Sequence, residues 1–154
     1  MAEVLFYHLT DSPLDTVLPE MLERSLARGW RVVVRGPVAA ELNRLDAHLW
    51  TYRDDSFLPH GRAGGDHDAA QPVLLTDRAE VPNGAKVLML VDGARVDPGE
   101  VGGFDRVCLI FNGHEEPALI AAREDWKAVT GAGLTGVYWA QDGGRWIEKA
   151  RAER

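Results

Sequence analysis

Apolar positions along the chain follow two rhythms. Short runs rich in valine, leucine and aromatic residues alternate with longer stretches in which apolar side chains recur every three or four positions. The first rhythm is that of buried strands, the second that of amphipathic helices. Residues 4–9 form the first run, which stops at Thr10, Asp11, Ser12 and Pro13. There Ser12 reads as a helix N-cap with Pro13 at the first helical position, where its missing N–H costs nothing. Leu14, Val17, Leu18, Met21, Leu22 and Leu26 then share one helix face. Pro19 interrupts that face, so a start near Leu18 is the alternative, and Gly29 closes the helix.

Residues 30–34 are a β-branched run, and Gly36-Pro37 leads into a second helix with Leu42, Leu45 and Leu49 along one side. Residues 73–76, 86–91 and 106–111 read as further strands, 115–130 as a helix and 136–140 as a last strand. Alternation of this kind implies an α/β fold with a mainly parallel sheet flanked by helices. The stretch 51–71 breaks the pattern. It is polar, glycine- and aspartate-rich, and too long for a bare connector, which marks it as a functional or mobile loop.

Size and charge narrow the picture. A chain of 154 residues, 45% hydrophobic, fits one domain over 1–154 that needs no metal or disulfide staple. A single cysteine, Cys108, excludes an intramolecular disulfide and points to a reducing, cytoplasmic setting. No secretory signal opens the chain, and no apolar stretch is long enough to span a membrane. The net charge of −7 argues against direct nucleic-acid binding by the overall field. That charge is uneven: from Leu119 onward six Lys/Arg (Arg123, Lys127, Arg145, Lys149, Arg151, Arg154) meet five acids, leaving +1 there and −8 before it.

Few residues offer chemistry. Residues 131–136 match G-x-G-x-x-G, but a dinucleotide site needs a strand before the motif and a helix after it. Here the order is reversed, so a helix end and turn is the reading. His60, Asp66, His67 and Asp68 could in principle serve a small metal- or nucleotide-dependent α/β enzyme, although their spacing fits no ligand motif and a solvated loop is preferred. Asp92, Asp97 and Glu100 miss the alternation of a calcium loop and read as turn acids. Cys108 lies mid-strand, as a small core hydrophobe does. No catalytic residue, metal site or cofactor is expected.

Two surfaces remain. Leu49-Trp50 is followed closely by Phe57-Leu58-Pro59-His60, and aromatic groups in a polar loop either fold back onto the core or anchor a partner. In the last helix Arg123 and Lys127 are four apart, with Leu119 and Trp126 flanking Arg123. That face suits a peptide bearing carboxylates and an aromatic side chain. Equally, Leu119, Ala122, Trp126 and Val129 make a regular core stripe with solvated cations at its edge.

At these residues the chain resembles the chi subunit of the bacterial DNA polymerase III holoenzyme. Three blocks carry the likeness: Phe6-Tyr7-His8-Leu9 with Gly29-Trp30-Arg31-Val32-Val33; Leu45-Asp46-Ala47-His48-Leu49-Trp50 with Ser56-Phe57-Leu58-Pro59-His60; and the helix with Arg123 and Lys127 ahead of Gly131-Ala132-Gly133. The resemblance implies a three-layer Rossmann-like α/β fold without catalysis of its own. It also implies a clamp-loader-associated adaptor that grips the acidic, aromatic-ended C-terminal tail of single-stranded-DNA-binding protein and holds a psi subunit on a second face. Arg123 and Lys127, with Trp126 and Leu119, fall on the tail-binding helix. Trp50 and Phe57 fall on the psi-contacting positions, with Leu49, Leu58 and Pro59 as supporting surface. Leu119 and Thr130 stand where the family pattern is basic, which implies a weaker tail site or one completed by other residues.

Overall fold

A computed structural model describes residues 2–54 and 57–153. Ser56 of the middle block and the cation Arg154 lie outside the described residues. In chain order the elements are β1 (Glu3–Leu9), α1 (Leu14–Ala27), β2 (Val32–Arg35), α2 (Ala39–Thr51), β3 (Gly61–Arg62), β4 (Val73–Thr76), β5 (Val87–Leu90), β6 (Arg106–Asn112), α3 (Glu116–Gly131), β7 (Thr135–Asp142) and β8 (Arg145–Ala152). The strands form one sheet in the order β3-β4-β2-β5-β6-β1-β7-β8. Every pairing is parallel except β7 with β8.

Strand side chains alternate between two faces, and this parity sorts the core into two layers. Leu5 and Leu9 of β1, Val32 and Val34 of β2, Met89 of β5, and Cys108 and Ile110 of β6 pack against α1 and α2. Val4, Phe6, Val33, Leu88, Leu109 and Phe111 point the other way, toward Ala122 and Val129 of α3 and toward Val96, Val101 and Phe104 of the β5–β6 connection. Two helices on one face and one on the other make the three layers. Strands buried on both sides explain why their sequences read as unbroken apolar runs rather than alternations.

Several boundaries differ from the sequence expectation. Helix α1 begins at Leu14 with Pro13, not Ser12, at its N-cap and no side-chain cap. It then runs straight through Pro19. A proline at that position cannot bond the carbonyl four residues back, and the freed oxygen of Asp15 is taken by Nε2 of His48 on α2, 2.7 Å away. The strand read at 30–34 lies at Val32–Arg35, which leaves Trp30 in the connection after α1. The stretch 51–71 is more ordered than a bare loop: it contains β3 and a 3-10 turn at Asp68–Ala70. Strand β8 is absent from the sequence expectation. It is joined to β7 through Gly143 and Gly144, whose φ values of 61° and 79° fit the mirror-image turn that closes tight hairpins.

Candidate functional site

Helix α3 carries one candidate surface, and its ends show why it forms where it does. Pro117 sits in the first turn, where no N–H is needed. At the other end Gly133 takes φ 80°, its N–H donates to the Thr130 carbonyl, and the N–H of Leu134 donates to Val129. This is the glycine-terminated helix end in which Leu134 also packs near Val129. Gly133 is thereby accounted for, and so is Gly136, which lies under Trp126, where a Cβ would come within 3.1 Å of the indole.

The helix is held by a residue that no sequence motif marks. Asp125 is buried and takes Nε and Nη2 of Arg95 at 3.0 and 2.8 Å, while its second oxygen accepts the N–H of Val96 at 3.1 Å. With that side clamped to the β5–β6 connection, the opposite side presents Leu119, Arg123, Trp126 and Lys127. The stripe is partly core and partly open surface. Ala122 and Val129 are core, and Leu119 and Trp126 are half-buried against it. Trp126 meets Phe6 and Tyr138 edge-on at 5.2 and 6.1 Å between ring centres. Arg123 and Lys127 are exposed, and among the described residues neither makes an ion pair or a side-chain hydrogen bond. Thr130 turns its hydroxyl inward, donating to the Trp126 carbonyl at 2.9 Å.

Further polar groups sit beside Arg123 at the end of β1 and on β7. His8 Nδ1 and the Tyr138 hydroxyl are 2.8 Å apart, and the imidazole stacks on Phe111. Gly113 makes room for it, since a Cβ there would fall 2.0 Å from His8 Nε2. Burial, then the charges of His114 and Arg123, hold the His8 imidazole below its ordinary value of 6.5. Burial raises the Tyr138 hydroxyl, against the opposing pull of Arg123. Only strand parity could have exposed this group: His8 shares a face with Val4 and Phe6, and so with α3.

The second candidate surface lies at the end of α2. Trp50 is 51% exposed and Phe57 73%, their ring centres 5.8 Å apart. Leu49 and Leu58, expected as part of this surface, are instead 1% and 2% exposed and belong to the core. The reason is helical phase: Leu49 continues the Leu42 and Leu45 face, so Trp50, one residue on, must turn outward. Beneath the aromatic pair sits buried His60, its ring 4.4 Å from Trp50, with Nδ1 2.7 Å from the Leu58 carbonyl oxygen and Nε2 2.9 Å from that of Asp46. The middle sequence block thus encodes a staple between α2 and the loop, with Pro59 half-buried beside it.

The residues of the enzyme alternative do not converge. His60 is spent on that staple, and Asp68 accepts the N–H groups of Gly64 and Gly65 at 2.9 and 3.1 Å. Asp66 and His67 are exposed. Among the described residues no three His, Cys, Asp or Glu side chains are grouped to hold a metal ion, and no helix is long and apolar enough to cross a membrane.

Comparison with known proteins gives a consistent result. Residues 1–136 match the family model described as DNA polymerase III chi subunit, HolC. A DNA polymerase III subunit chi of Pseudomonas aeruginosa is 32% identical over 105 residues, covering 68% of this chain and 70% of the relative. A "Probable DNA polymerase III subunit chi" of Rickettsia prowazekii is 26% identical over 91 residues, covering 59% of this chain and 55%, about half, of the relative's length.

Proposed function

The chain belongs to the DNA polymerase III chi subunit family, and from that premise we propose that it works as a non-catalytic adaptor with two contact faces. One face binds the acidic C-terminal tail of single-stranded-DNA-binding protein. The other ties the chain to the clamp-loader part of the replicase, through a psi subunit or a component in its place.

The observation that carries this reading is the state of Arg123 and Lys127, two exposed cations without an intramolecular partner among the described residues, flanking half-buried Trp126 and Leu119. By contrast, Arg35, Arg44, Arg95 and Arg151 are each held by a carboxylate. Cations left unpaired beside an apolar surface fit a ligand that brings its own acids and an aromatic ring. Arg123 offers a planar fork to a terminal carboxylate, Lys127 a point charge to the acids before it, and the Trp126 and Leu119 surface takes the ring. Leu119 and Thr130 contribute no charge, so affinity rests on fewer cations and falls steeply with salt.

On the second face, Trp50 and Phe57 provide the exposed aromatic anchor, and the Leu49, Leu58 and His60 staple holds it rigid. A preorganised aromatic pair is what an interface hot spot requires. Nothing in this scheme needs contact with DNA, which the net charge of −7 disfavours. A pull-down from bacterial lysate tests the reading: the chain should retain single-stranded-DNA-binding protein and release it when that protein lacks its last few residues.

A further inference from the structure

On the face opposite α3, α1 lies mainly over β2 and β6 and α2 over β3 and β4. Between α1 and the β1, β7 and β8 end of that face lies a half-open cavity of about 230 Å³. Its walls are aromatic: Tyr7 of β1, Trp30 after α1, Trp139 of β7 and Trp146 of β8. Its charges are all of one sign. Arg24, Arg28 and Arg106 line it, the guanidiniums of Arg28 and Arg106 lying 5.0 and 5.3 Å from the centre of the Trp30 ring. None of the three arginines makes an ion pair or a side-chain hydrogen bond among the described residues, even though acids outnumber cations in this protein and Glu3 sits opposite Arg106 in the sheet register. The buried Nε1 of Trp139 also lacks an acceptor. These spare polar groups are therefore all donors, set around an aromatic box.

We propose that this cavity is a second docking site, independent of α3, for an extended acidic segment of a partner protein. An aromatic side chain of the segment enters among Trp30, Trp139 and Trp146, and its carboxylates pair with Arg24, Arg28 and Arg106. Charge complementarity and position favour this occupant. Strand β8 is the edge of the sheet, so an extended chain can lie along it and use its unpaired backbone groups. A nucleic-acid strand would need a continuous track of cations past the mouth, but on β8 Arg151 is already held by Glu148 and Glu153, which leaves Arg145 and Lys149 among the described residues. Trp139 and Trp146 lie beyond residue 136, where the family match ends, so two of the four aromatic walls come from a part of this chain outside that match.

The test is calorimetric titration of the full chain with a probe peptide of four aspartates around one central phenylalanine, acetylated and amidated so that it has no terminal carboxylate. Binding should weaken at least about tenfold in Arg24→Glu/Arg28→Glu, as removal of charge-assisted hydrogen bonds implies. It should weaken likewise in Trp146→Leu, which keeps an apolar side chain on β8, and stay unchanged in Arg123→Ala. Failure of the peptide to bind, equal binding by the double variant, equal binding of a peptide with alanine for phenylalanine, or displacement by oligothymidylate would each overturn the proposal. Because Arg123→Ala is read in parallel, failure of the α3 site and failure of this one are distinguishable.

Discussion

Asp125, buried on α3, receives Arg95 from the β5–β6 connection through two nitrogens, and so fixes the helix that carries Arg123 and Lys127. Removing either partner leaves something buried without its counterpart: the Val96 N–H in one case, the carboxylate in the other. Asp125→Ala and Arg95→Ala are each expected to lower stability by about 1–3 kcal/mol. The double variant should cost less than the sum, measured by urea denaturation. Additive effects would show that the pair does not act as a unit.

The aromatic pair and its support should separate cleanly. Trp50→Ala and Phe57→Ala change exposed groups, so stability should move by no more than about 1 kcal/mol. Leu49→Ala and Leu58→Ala, one step away in sequence, should each cost about 2–5 kcal/mol because they open cavities. If Trp50→Ala also leaves co-purification with the replicase components intact, the second contact face is elsewhere.

Much of this architecture is legible from apolar rhythm. Strands 73–76 and 106–111, the Leu42, Leu45 and Leu49 face and the closing glycine of α3 all follow from period and turn chemistry. What escapes does so for physical reasons. Strand β8 is an edge strand, mostly exposed, and so carries no apolar alternation; its only sign is the Gly143-Gly144 turn. Pro19 reads as a helix breaker because its compensation, His48, comes from another helix. His60 in a polar segment looks solvated, yet it is the hub of a tertiary staple. The pairing of Arg95 with Asp125 joins residues thirty apart that no local pattern links. Strand parity alone puts His8 beside α3, and no local signal brings Arg123 next to it.

His8 has a pH consequence. Its imidazole is held below 6.5 in the fold, so between the two values the unfolded chain binds more protons than the folded one. Stability contributed by keeping His8 neutral is therefore full above about pH 6.5 and is lost as pH falls through that range. Thermal melts from pH 7.5 downward should show a steeper decline in the native chain than in His8→Gln. Identical slopes would assign the pH dependence to other groups.

Cys108 is buried mid-strand, and burial pushes its thiol up to about 12. A thiol-specific reagent at pH 8 should leave it untouched in the folded chain and modify it fully in denaturant, since only the thiolate reacts. Rapid modification under native conditions would contradict the packing of β6 against α1.

Tail binding by α3 is tested most directly by fluorescence anisotropy of a labelled tail peptide, acidic and ending in a free aromatic carboxylate, titrated with the native chain and with Arg123→Ala. Arg123→Ala is expected to weaken binding at least about tenfold, because it removes a charge-assisted hydrogen bond to the peptide carboxylate. Stability should stay within about 0.5 kcal/mol, as at other exposed positions. Equal affinity for the two chains would rule out α3 as the tail-binding face.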